Sequence, residues 1–131
     1  MGTPLYELKA EFFKTLGHPA RIRILELLSE GEMQVSELLT EIGLEPSHLS
    51  QQLGVLKRAG LIASNKRGSS VSYYMTSSDV AELLVVARRI LTEVLMGAAD
   101  LLKDLRESPM DSTASNALAA RSMSTKHTGR Q

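Results

Sequence analysis

Apolar residues recur along this chain in steps of three and four, interrupted by glycines and prolines at regular intervals. Leu5, Leu8, Phe12 and Leu16 alternate with Glu7, Lys9, Glu11 and Lys14, which predicts an amphipathic helix over residues 4–16. Gly17-His18 breaks it. Pro19, whose missing N–H costs nothing in a first helical turn, opens a second helix to about residue 29, with Ile22, Leu25 and Leu28 inward and Gly31 as its stop. Val35, Leu38, Leu39 and Ile42 make a third stripe that ends at Gly43, and Pro46 opens a fourth helix whose inward stripe is Leu49, Leu53 and Leu56. The period then changes. Residues 61–66 and 71–75 are short runs with β-branched and aromatic side chains around Arg67-Gly68-Ser69-Ser70, the pattern of a β-hairpin. Strand alternation requires one of Tyr73 and Tyr74 to point inward.

From Asp79 to about Arg106 the helical period returns in a long helix, with Ser78 as its cap and Asp79 and Glu82 near the positive end of its dipole. Val80, Leu84, Ala87, Leu91, Val94, Ala98, Leu101 and Leu105 step by four and three alternately, and Leu83, Ile90, Leu95 and Leu102 widen the seam. Such a stripe has more apolar surface than three short helices and a hairpin can cover, so a second copy of the chain is its expected partner, the alternative being an ordinary core helix. From Ser108 the composition shifts to Ser, Thr and Ala with little periodicity, which predicts a disordered tail over residues 108–131 after one domain over residues 1–107.

The third and fourth helices with the turn between them, from Glu32 to Leu61, form a helix-turn-helix. The fourth presents Ser47, His48, Ser50, Gln51, Gln52 and Lys57 off its apolar stripe, with Gln52 close to the border. All can hydrogen-bond and none is acidic. A helix fits the major groove, and a glutamine can pair bidentately with adenine, so these residues are candidates for bases and phosphates, with Arg67 of the hairpin on the adjacent backbone or minor groove.

Four segments in this order resemble the ArsR-type winged-helix transcriptional regulators: His18-Pro19-Ala20-Arg21-Ile22-Arg23-Ile24-Leu25, Val35-Ser36-Glu37-Leu38, Leu49-Ser50-Gln51-Gln52-Leu53 and Leu56-Lys57-Arg58-Ala59-Gly60-Leu61. The resemblance covers roughly residues 5 to 105. It implies a mainly α fold with a small β-hairpin: a winged helix-turn-helix of five helices and a two-stranded wing, forming a dimer. It also implies that the first helix packs at the dimer interface, which makes Leu5, Leu8 and Phe12, with Leu84, Ala87, Leu91 and Val94 of the long helix, the expected contacts. The family's pattern usually carries a histidine where this chain has Gln52, a departure that bears on base preference and not on the fold.

Formal net charge is zero, with 15 basic and 15 acidic residues, yet the charges are segregated. Residues 46–78 hold Lys57, Arg58, Lys66 and Arg67 and no acid, whereas residues 26–45 hold Glu26, Glu30, Glu32, Glu37, Glu41 and Glu45 and no lysine or arginine. Local charge is what a phosphate backbone meets. The glutamates read equally as a solvated face or as a means of orienting the protein on DNA.

Cysteine is absent, which excludes disulfides and thiolate metal sites. No apolar run reaches the roughly 18 residues of a membrane span and no signal-peptide order is present, so the expectation is a cytoplasmic protein without membrane contact. His18, His48 and His127 lie far apart in different predicted elements, and no phosphate loop or nucleophile with a base partner appears, so an enzyme is not expected. Metal sensors of the ArsR type carry cysteines on the motif's first helix or Asp and His residues on the long helix; here the long helix has no histidine, and neither metal nor cofactor is expected. Regulation is then expected from an unidentified small molecule in the dimer groove, from a protein partner, or from simple control of abundance. The leading reading is a homodimeric, sequence-specific regulator of double-stranded DNA, a repressor by analogy, acting on an inverted-repeat operator. A winged-helix protein-interaction module in a larger complex is the alternative, and the basic segment disfavours it.

Overall fold

The computed structural model of the chain describes residues 2–107. In chain order the elements are α1 (Leu5–Leu16), α2 (Pro19–Leu28), β1 (Met33–Gln34), α3 (Val35–Ile42), α4 (Pro46–Arg58), β2 (Ile62–Arg67), β3 (Ser70–Met75) and α5 (Ser78–Glu107). The expected tail over residues 108–131, His127 included, lies outside the described residues. The chain divides into two units, Met1–Val85 and Val86–Gln131.

In the first unit α2 is the central element, packing against α1, α3, α4 and β3. That position explains why more of it is buried than a one-sided stripe predicts: Ile24 and Leu27 join Leu25 and Leu28 in the core, and Ile22 is only half-buried. Leu38 of α3, Leu49, Leu53 and Leu56 of α4, Leu61, Ile62 and Val80 complete the cluster, with Leu16 from the end of α1. Interiors of this kind are close-packed, so the rotation of each helix is set by its apolar stripe.

The hairpin closes through a two-residue loop, Gly68-Ser69, with Arg67 and Ser70 as the last pair. Gly68 has φ +61°, a left-handed conformation that a Cβ disfavours and that tight hairpins require. Tyr73 packs against the core and Tyr74 is exposed, as alternation demands. The sheet has a third strand that the expected two-stranded wing lacks: Met33 pairs with Tyr73 and Gln34 with Ser72, giving the order β1-β3-β2. Two residues are too short to show a period, yet they satisfy backbone groups along the outer edge of β3. The cap of α5 also differs by one residue from expectation. Ser77, not Ser78, accepts from the Asp79 N–H at 3.2 Å, and the helix begins at Ser78.

The described part of the second unit is helical, continuing α5 to Glu107. None of the described helices is long and apolar enough to cross a membrane.

Candidate nucleic-acid interface

The turn between α3 and α4 is set by Gly43, whose φ of +75° ends α3 in a left-handed residue while its N–H bonds the Leu39 carbonyl at 2.9 Å. At the other end of α3, the Glu37 carboxylate accepts from the Gln34 N–H at 3.0 Å, filling one of the orphan donors of the first turn. Pro46 then occupies the first turn of α4. With Leu49, Leu53 and Leu56 locked into the core, the opposite face of α4 is turned to solvent. Ser47, His48, Ser50 and Gln51 are all exposed on it.

Gln52 is not part of that face. It is only 5% exposed, and its Oε1 accepts a hydrogen bond from Arg21 Nη1 at 2.9 Å. This corrects its assignment to the DNA-contacting set: position 52 falls one turn from Leu49 and Leu56 on the inward stripe, and the amide is spent on an arginine. Arg21, which the pattern of motifs did not single out, sits on the inward stripe of α2 with Leu25 and Leu28. A cation and an amide on two facing apolar stripes are the signal that could have found the pair, because buried polar groups must be partnered.

Cationic side chains flank the exposed face. Lys57 and Arg58 lie in the last turn of α4, where they also favour the negative end of the helix dipole. Lys57 Nζ donates to Ser64 Oγ of β2 at 2.9 Å, tying the end of α4 to the wing. Arg67 is exposed at the tip of the hairpin and lines a polar cavity of about 230 Å³ with Glu32, Gln34, Glu37, Asn65, Ser70 and Ser72. At the base of that cavity Ser72 Oγ donates to Glu32 at 2.5 Å, holding β3 to the loop before β1. Among the described residues no carboxylate pairs with Lys57, Arg58, Lys66 or Arg67, so their charge is open to an incoming anion. All six glutamates between residues 26 and 45 are exposed.

Two histidines that the sequence places in separate elements meet here. His18 caps α2, its Nδ1 accepting from the Ala20 N–H at 3.1 Å, and its ring lies edge-on to that of His48 with centroids 6.3 Å apart. The capping bond accounts for His18 as a structural residue. Among the described residues, no group of three or more His, Cys, Asp or Glu is placed to hold a metal.

The seven expected dimer contacts fall into different settings. In the first unit Leu5 and Leu8 are exposed, while Phe12 and Leu84 pack partly against the core and so offer less to a second copy. In the second unit Leu91 and Val94 are exposed and Ala87 is half-buried.

Comparison with known proteins converges on one family. The profile of bacterial regulatory proteins of the arsR family matches residues 18–64. An HTH-type transcriptional regulator of Mycobacterium tuberculosis, Rv0081, is 59% identical over 104 residues, covering 79% of this chain and 91% of the relative. Its crystal structure superposes with a TM-score of 0.69 at 57% identity, over 75% of this chain and 99% of that one. The biofilm growth-associated repressor of Xylella fastidiosa is 39% identical over 75 residues, 57% of this chain and 66% of the repressor. The solution structure of Mb0332 from Mycobacterium bovis, described as a homodimeric winged helix-turn-helix DNA-binding domain, has a TM-score of 0.63 at 31% identity over 70% of this chain and 84% of that one.

Proposed function

This chain belongs to the ArsR family of bacterial regulatory proteins, and from that premise we propose that it is a homodimeric transcriptional repressor that binds an inverted-repeat operator in double-stranded DNA. The observation that carries the reading is the exposed, acid-free face of α4, with Ser47, His48, Ser50 and Gln51 on it, set beside cations at the end of α4 and the tip of the wing that no carboxylate pairs among the described residues. Helix α4 enters the major groove, its exposed amide and hydroxyls reach bases or phosphates, and Arg67 meets the neighbouring backbone or minor groove. The protein works by binding and not by catalysis, in the cytoplasm, and an unidentified small molecule or protein effector controls release.

Dimer formation is supported by the exposed leucines of α1, by the exposed apolar side chains of α5 beyond residue 85, and by the homodimeric state of the Mb0332 domain. A two-fold dimer demands a two-fold operator, with half-sites about 10 base pairs apart or a multiple of that spacing. The test is a footprint of the purified protein on DNA upstream of its own gene, with affinity followed across a salt series. The expected result is protection of an inverted repeat and an affinity that falls steeply with salt. Failure to protect any DNA at low salt would overturn the reading in favour of a protein-interaction module.

A further inference from the structure

We propose that Arg21 and Gln52 form a positioning joint that couples the last turn of α1 to the setting of α4, so that both residues govern operator affinity without touching a base. This rests on reading α4 as the helix that faces DNA. A guanidinium carries five donors in a rigid planar fork, and Arg21 uses that fork across two elements. Its Nε donates to the Thr15 carbonyl at 2.6 Å and its Nη2 to the Lys14 carbonyl at 3.5 Å, while Nη1 donates to Gln52 at 2.9 Å. The carbonyls of Lys14 and Thr15 belong to the end of α1 and carry the negative end of its dipole, and the Lys14 carbonyl, which accepts from the Gly17 N–H at 3.1 Å, takes Arg21 as a second donor. A cation is well placed there. On the other side, Gln52 is buried, where an unpartnered acceptor is costly.

The consequence is mechanical. Helix α4 cannot rotate or slide without breaking a charge-assisted bond, and a shift of the end of α1 pulls on the same guanidinium. Gln51 and His48 precede Gln52 by one residue and by one turn, so the joint sets where the exposed face points. For Gln52 to read a base it would have to leave the core and give up its bond to Arg21.

The experiment compares the full chain with Gln52→Ala, Gln52→Glu, Arg21→Lys and the double variant Arg21→Lys/Gln52→Ala. Affinity is measured on the footprinted operator and on a panel with each base pair changed in turn, with thermal unfolding and sedimentation on the same samples. Gln52→Ala should weaken every operator by about the same factor, roughly tenfold or ~1.4 kcal/mol, while remaining folded and in the wild-type oligomeric state. Gln52→Glu should recover most of that loss, since a carboxylate accepts from Arg21, although it lacks the donor that an adenine contact needs. Arg21→Lys should lose as much as Gln52→Ala, because an ammonium cannot span three acceptors, and the double variant should be no weaker than the weaker single one.

A changed base preference in Gln52→Ala, unchanged affinity, or a Gln52→Glu variant as weak as Gln52→Ala would each overturn the joint. If Gln52→Ala fails to fold, Gln52→Glu and Arg21→Lys decide between the same outcomes. Amide hydrogen exchange without DNA separates failure of the joint from failure of the DNA reading. Gln52→Ala should speed exchange in α4 and at the end of α1 together, and faster exchange in α4 alone would show that the two are not coupled.

Discussion

Helix α4 and the part of α5 beyond residue 85 carry apolar stripes of the same period, and they differ in what covers them. Leu49, Leu53 and Leu56 of α4 are buried, whereas Leu91 is 60% exposed, and Val94, Leu95 and Leu102 are exposed with it. Periodicity announces that a face needs burial; it does not say where the partner is. The stripe of α4 is matched within its own unit by α2 and β2, which leaves the opposite face open to a polar ligand. That opposite face has no acid, while the polar positions of the later stretch mix Arg88, Arg89 and Lys103 with Glu93 and Asp100, the composition of an ordinary solvated surface. Under the proposed reading, the contrast separates a helix that reads DNA from a helix that associates.

Shortening a side chain in each stripe tests the contrast directly, and the larger effect on stability belongs to α4. Leu49→Ala removes a fully buried side chain from the middle of the core cluster. The expected cost is about 2–5 kcal/mol, from lost transfer energy and the cavity left behind. Denaturant unfolding measures it, and a loss below about 1 kcal/mol would mean that α4 is not anchored by its stripe.

Leu91→Glu should behave in the opposite way. In a single chain an exposed position tolerates a charge with a change of only about 0.5 kcal/mol, so the fold should survive. In a dimer the same glutamate is forced against an apolar partner, and association should fail. Sedimentation should then show monomers, with operator affinity reduced about a hundredfold, ~2.7 kcal/mol. A variant that stays dimeric would place the interface elsewhere.

The pattern of the chain carried the five helices, the hairpin and the inward stripes of α3 and α4, because long amphipathic periods and Gly or Pro punctuation report local physics. What it did not carry depends on contacts between distant residues. Strand β1 is two residues long and exists only because β3 has an edge to offer. Ser77 and Ser78 are equally suitable caps by residue type, and only backbone geometry selects Ser77. Gln52 stood at the edge of the α4 stripe, and a polar residue there reads as surface unless its partner is known. That partner, Arg21, is 31 positions away. The meeting of His18 with His48 is equally invisible to spacing, since one caps α2 and the other lies on α4. Ser47, His48, Ser50 and Gln51, by contrast, are exposed as their places on the helix required.

The subtlest test lies within the exposed face itself, between a side chain placed to read and one placed to attract. Gln51 is exposed on α4 and has both a donor and an acceptor, so it can distinguish adenine from other bases in the major groove. Gln51→Ala should cost about 1–3 kcal/mol on the preferred operator and little on operators already mismatched at that position, which is a loss of preference. Arg67 belongs to the wing, where the proposed contact is with the phosphate backbone or with the minor groove, whose base pattern is degenerate. It is exposed at the hairpin tip with no carboxylate paired to it among the described residues, and under the proposed reading it neutralises phosphate. Arg67→Ala should therefore weaken all sequences alike and lower the slope of log affinity against log salt by about 1. Lys57→Ala should act in the same direction, with part of its effect arising from the lost bond to Ser64 and so independent of salt. Affinity across a salt series on matched and mismatched operators resolves the two patterns. If Gln51→Ala lowers every operator equally, or if Arg67→Ala alters which bases are preferred, then reading and attraction are not divided between α4 and the wing.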